Sequence, residues 1–114
     1  MDVFSPTLFV AVLLVSIEIQ GSRSMKDRRS VVKSLIERIR PRWDVSAMDL
    51  GPDGVWNRAF LGFSAIAPTN QMAVDRLDSV RRFVESMQDA EGFDILEYTQ
   101  EVERYDHFSH TKNQ

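Results

Sequence analysis

The segment Leu8-Phe-Val-Ala-Val-Leu-Leu-Val-Ser-Ile-Glu-Ile19 constrains the fold more than any other stretch of the chain. One alternating set, Phe9, Ala11, Leu13, Val15, Ile17 and Ile19, is apolar throughout. The other set, Leu8, Val10, Val12 and Leu14, is apolar too, until it turns polar at Ser16, Glu18 and Gln20. A strand that is apolar on both faces belongs at the centre of a sheet, with something covering each side. A membrane span is the wrong reading, because the run is too short to cross a bilayer and Glu18 lies inside it. An export signal wants basic residues before the apolar run, and here the preceding residues carry Asp2 and no Lys or Arg.

The remaining elements follow from period and punctuation. Ser24-Met-Lys-Asp27 is a helix-opening cap, and Val32, Leu35, Ile36 and Ile39 form a helical stripe behind it. Pro41 is expected to stop that helix. Trp43, Val45, Ala47 and Leu50 read as a second strand, Gly51-Pro-Asp-Gly54 as a turn, and Phe60 to Ala67 as a third strand. Pro68-Thr-Asn70 caps a second helix bearing Ala73, Leu77, Val80, Val84 and Met87 on one face, with Phe83 beside them. Asp78 and Arg82, four apart, are placed to pair on its outer side. Gly92 ends it, and Phe93 to Glu103 makes a fourth strand with Leu96, Tyr98 and Val102 on one face.

The order β-α-β-β-α-β is the split βαβ of ferredoxin-like α+β domains: a four-stranded antiparallel sheet with two helices on one face. With 114 residues, 43% apolar and 27% charged, the chain suits one globular domain. We expect an irregular arm over residues 1–7, a single domain over 8–104 and a polar, frayed tail over 105–114. The bare face of the sheet, apolar at Leu8, Val10, Val12 and Leu14, predicts a homodimer that covers it.

Two stretches match a known pattern. Ile19-Gln-Gly-Ser-Arg-Ser-Met-Lys-Asp-Arg-Arg-Ser-Val-Val-Lys-Ser-Leu35 is similar to "(I/L)-P-G-(A/S)-x-S-L-K-x-K-R-x-V-(V/L)-x-S-L", and Asp53-Gly-Val-Trp-Asn-Arg-Ala-Phe-Leu-Gly62 to "D-x-x-W-x-(R/K)-A-x-(L/I)-G". Phe83-Val-Glu85 fits the end of the second helix in the same pattern. The chain thus resembles the YlxP-like family of bacterial domains over residues 8 to 104, with Gln20, Met25 and Arg28 departing from the usual Pro, Leu and Lys. The resemblance implies a ferredoxin-like fold and no established activity. Family genes commonly neighbour those for translation initiation factor two and ribosome-binding factor A.

Charge is unevenly spread despite a net −3. Residues 23–42 hold eight cations against two carboxylates, and residues 85–106 hold eight carboxylates against one cation. At 100° per residue, Lys26, Arg29, Lys33 and Arg40 line one flank of the first helix, and Arg23 extends it. Such a flank can bind RNA phosphates, or stand as a solvated face neutralised by the acidic fourth strand or by Glu37. Arg28 falls inside the apolar arc, so it needs a carboxylate, with Glu18 the nearby candidate. Trp56 and Arg58 offer a partner contact, against the plainer reading of Trp56 as a lid on the core. Phe60 and Phe63, three apart, point to opposite faces of a regular strand and exclude an aromatic stacking platform.

Enzyme chemistry finds little footing. The chain has no Cys, and no phosphate-binding glycine loop. His107 and His110 are the only histidines, too few for a firm metal site. We therefore expect no catalytic residues, no metal and no cofactor. The expected protein is cytoplasmic, away from membranes: a non-enzymatic module that binds RNA or a ribosomal particle. The alternative is a dimeric ligand-sensing or protein-interaction module acting through its sheet face.

Overall fold

The structure, a computed structural model, describes residues 6–108. Its elements are β1 (Leu8–Ile19), α1 (Met25–Trp43), β2 (Ser46–Asp49), β3 (Arg58–Ala67), α2 (Asn70–Ser86), the short α3 (Gln88–Glu91) and β4 (Phe93–Tyr105). The four strands form one antiparallel sheet in the order β2-β3-β1-β4, the ferredoxin-like arrangement expected from the element order. β1 is an inner strand, paired with β3 along one side and β4 along the other.

Both helices cover one face, where their apolar stripes meet the inward strand residues. Leu35, Ile39, Leu77, Val80 and Val84 are all fully buried against Ala11, Leu13, Ile17 and Leu61. Each helix starts on the cap its sequence provides. The Ser24 hydroxyl accepts from the Asp27 N–H at 3.1 Å, and the Asp27 carboxylate accepts from the Arg23 N–H at 3.0 Å. Thr69 accepts from the Met72 N–H at 3.2 Å. These contacts satisfy helix-end donors that have no partner within the helix.

Several local expectations are corrected. Pro41 does not end α1, which continues to Trp43 and closes on Asp44 in the left-handed region at φ 52°. A proline there removes only one hydrogen bond of the final turns, and Trp43, packed 5.2 Å from Phe83 between ring centroids, holds the extra turn in place. Trp43 is consequently helical, and β2 shrinks to Ser46–Asp49, with Leu50 outside it. Met87 stands at the C-cap of α2 and, as its place on the apolar face leads one to expect, packs partly buried against the core. Asp78 pairs with Arg81 at 3.9 Å and accepts from Gln100 at 3.1 Å, leaving Arg82 to donate to Ser79.

The fourth strand carries the largest departure. Ser16 pairs with Glu97 while Ile17 pairs with Ile95, so Leu96 is the extra residue of a β-bulge. Beyond it the parity of β4 changes. Tyr98 and Val102 stay on the helix side, opposite Val15 and Ala11, while Leu96 has no partner across the ladder. Of the expected termini, residues 1–5 of the arm and residues 109–114 of the tail lie outside the described residues, and Tyr105 belongs to β4.

Candidate functional site

The basic flank of α1 lies along the β2 edge of the sheet. Arg23, Lys26, Arg29, Lys33 and Arg40 are all exposed. They are not equivalent. Arg40 is held at the edge strand, where its guanidinium donates to the Ala47 carbonyl. Lys33 faces Glu37 at 3.7 Å, an exposed pair of little strength. Arg23, Lys26 and Arg29 form no ion pair among the described residues. Neighbouring Arg42 lies 4.5 Å over the Trp43 ring and belongs to the packing at the helix end.

The acidic fourth strand does not neutralise this flank. β4 occupies the opposite edge of the sheet from β2, three strands away. Glu91 does reach α1, but on its other flank, where it meets Arg38 at 3.3 Å and Ser34 at 2.9 Å. The basic flank and the acidic strand therefore stand at opposite edges of the sheet, although the two charged stretches meet at Arg38 and Glu91.

Arg28 lies beneath the flank. It is 1% exposed, and its two terminal nitrogens donate to the two Asp49 oxygens, each at 2.8 Å. The expected partner Glu18 is displaced by Asp49, since register places Glu18 on the far face of the sheet and Asp49 at the end of β2 beside α1. The Arg28 hydrogen bonds hold the Asp49 carboxyl below its usual range, against the opposing effect of burial, with the Gly51 N–H and the charge of Arg29 adding to the depression. The pair is structural.

Trp56 is not a lid on the core; it is 46% exposed. Its carbonyl accepts from the Ser22 hydroxyl, so backbone rather than ring is what the loop anchors. Arg58 follows at the start of β3, partly buried on the outer face, with its carbonyl held by the Arg28 Nε at 2.7 Å. Its own Nε is buried without a partner.

The outer face itself is legible in the sequence only in part. Val12 (43% exposed) and Leu14 (39%) follow from the alternation of β1. Met48, Leu50, Phe60 and Ile66 join them, all exposed. Phe63 is buried on the other side, as its spacing from Phe60 requires. Gly62 opens the middle of this surface, because a Cβ there would stand 2.8 Å from Leu50 Cδ1. The resulting groove, about 530 Å³, runs between Val12, Leu14, Met48 and Leu50 and ends at Thr99 and Glu101. Along the β4 margin the same face turns acidic at Glu97, Glu101 and Glu103.

Among the described residues no group of three metal-ligating side chains occurs, and no helix is long and apolar enough to cross a membrane. His107 is exposed beside Asp106 at 3.4 Å, while His110 lies outside the described residues.

A family model described as "Protein of unknown function (DUF503)" matches residues 10–96. The "Uncharacterized protein YlxP" of Bacillus subtilis (strain 168) is 26% identical over 73 residues, covering 64% of this chain and 79% of that protein. Among solved structures, a VAO-type flavoprotein from Myceliophthora thermophila C1 superposes with a TM-score of 0.50 at 15% identity, over 89% of this chain and 19% of that one. That likeness concerns fold alone. A de novo designed protein with ferredoxin fold gives 0.42 at 13% identity, over 95% and 92% of the two chains.

Proposed function

We propose, for a chain that belongs to the DUF503 family of proteins of unknown function, a non-enzymatic binding module that holds RNA or a ribosomal particle through the basic flank of α1. The observation that carries this reading is the exposure of Arg23, Lys26 and Arg29 without ion-pair partners, with the acidic strand on the opposite edge. Cations arranged in this way meet phosphates spaced along a backbone and release the counterions that the phosphates had condensed, so binding is salt-dependent and indifferent to sequence. Lys33 adds to the row, and Arg40 contributes charge from a fixed position. The test is binding of the purified chain to structured RNA and to ribosomal subunits at about 50 mM salt, where phosphate contacts are strongest. Association that weakens steeply as salt rises supports the reading, and absence of binding at low salt ends it.

A second reading takes the protein as a dimeric ligand-sensing or protein-interaction module. It is favoured by one observation of its own, the outer sheet face on which Val12, Leu14, Met48, Leu50, Phe60 and Ile66 lie exposed together. Apolar side chains gathered on one face at this density mark an interaction surface.

A further inference from the structure

We infer that a second copy of this chain covers the outer sheet face, related by a two-fold axis parallel to the strands, so that β4 of each copy lies over β2 of the other. The inference rests on the second reading above and goes beyond it by assigning the occupant and its orientation. It does not depend on RNA binding.

Area comes first. At about 4.8 Å between strands and about 3.4 Å per residue, strands of 12, 4, 10 and 13 residues present roughly 640 Å² per copy. A stable interface buries about 800 Å² per partner, so the face and its rims suffice for one partner of the same size. A face apolar at its centre suits a two-fold pairing of like with like.

Charge then selects the axis. Met48, Gly62, Leu14 and Thr99 stand in one row across the sheet, and Ser46, Ser64, Val12 and Glu101 in the next outward-facing row. The acidic residues of this face, Glu97, Glu101 and Glu103, stand along β4 at one margin. An axis perpendicular to the strands would lay β4 on its own copy and bring these carboxylates together, which is unfavourable in a desolvated contact. An axis parallel to the strands lays each acidic margin over the partner's β2 edge, which holds no carboxylate on this face and where Arg40 reaches the Ala47 carbonyl. Of these two arrangements, only the second keeps the carboxylates of the two copies apart around a shared apolar centre.

Absence of native cysteine allows a direct test. Met48→Cys and Thr99→Cys place single thiols at exposed positions of the same row, one at each margin. Each full-length variant alone and, in a separate sample, a mixture of the two untreated variants refolded together is treated with a bismaleimide spanning about 10 Å, the usual gap between packed sheets. Thermal melts confirm that each variant folds, and light scattering at micromolar concentration gives the mass of the untreated chain. Twice the monomer mass, with cross-linked product abundant in the mixture and scarce for either variant alone, is the expected result. Cross-linking of Thr99→Cys alone, or of neither variant nor mixture while the dimer persists, overturns the arrangement and leaves the sheet-face reading standing. A monomer by light scattering overturns both. So does a dimer that Leu14→Glu, still folded, leaves intact.

Discussion

Arg28 and Asp49, 21 residues apart, join the first turn of α1 to the edge strand through two hydrogen bonds of 2.8 Å between a guanidinium and a carboxylate. The arginine is almost wholly buried and the aspartate side chain is 31% exposed. Because Arg28 Nε also holds the Arg58 carbonyl, one side chain fixes the positions of three elements: the helix, the end of β2 and the start of β3. The basic flank above and the sheet rim beside it inherit their placement from this contact.

Removing one member of that pair leaves the other buried and uncompensated. Asp49→Ala is expected to cost about 3 kcal/mol, the lower end of the range for broken buried pairs, because the carboxylate end retains contact with water. Replacing both residues, as Arg28→Met with Asp49→Leu, should recover most of that stability. Urea unfolding of the two variants checks this, and equal destabilisation of both would refute it.

Acid should weaken the fold through the same carboxyl. The Asp49 carboxyl is depressed below its ordinary value of 3.8, chiefly by the hydrogen bonds from Arg28. The unfolded chain therefore binds its proton more readily than the folded one. The contribution is complete above pH 3.8 and disappears as pH falls through the lower folded value. Melting temperature followed from neutral to acid pH should fall less steeply below pH 3.8 in Asp49→Asn than in the wild type.

Packing on the two faces of the sheet should separate cleanly by mutation. Leu35 is fully buried, and Leu35→Ala is expected to cost about 2–5 kcal/mol. Leu14→Ser, on the exposed face, should change the unfolding free energy of the separated chain by far less. Denaturant titration at low protein concentration measures both, and comparable costs would contradict the assignment of inner and outer faces.

Charge removal on the flank gives the remaining expectation. Lys26→Gln, Arg29→Gln and Lys33→Gln together should weaken RNA association and flatten its logarithmic salt slope by about 0.7–0.9 for each phosphate left without its cation. Stability should move by under about 0.5 kcal/mol for each exposed change. Arg28 stays untouched in this variant, since its removal would disturb the fold itself. Binding and salt slope unchanged from the wild type would remove α1 from the site.

Wherever one short-range rule acts alone, the residues can be read directly. Alternation along β1 and β3 separates Leu13 and Phe63 from Leu14 and Phe60, because successive side chains of a strand must point to opposite faces. The helical spacing of Val32, Leu35, Ile36 and Ile39, and the cap at Ser24, are likewise settled within one or two turns of chain. The same spacing places Arg28 in the buried arc, and elementary electrostatics requires it to have a carboxylate.

Which carboxylate is a matter of tertiary structure, since sheet register carries Glu18 to the outer face and sets Asp49 under the helix. The turn of α1 beyond Pro41 depends on Trp43 meeting Phe83, and the changed parity of β4 on a bulge that alternation cannot reveal. Strand order, too, decides that the acidic strand lies at the opposite edge from the basic flank, a separation no local pattern contains. Residue spacing determines which way a side chain points on its own element. What it meets there depends on contacts between segments far apart in the chain, and those exist only once the sheet has chosen its order and register.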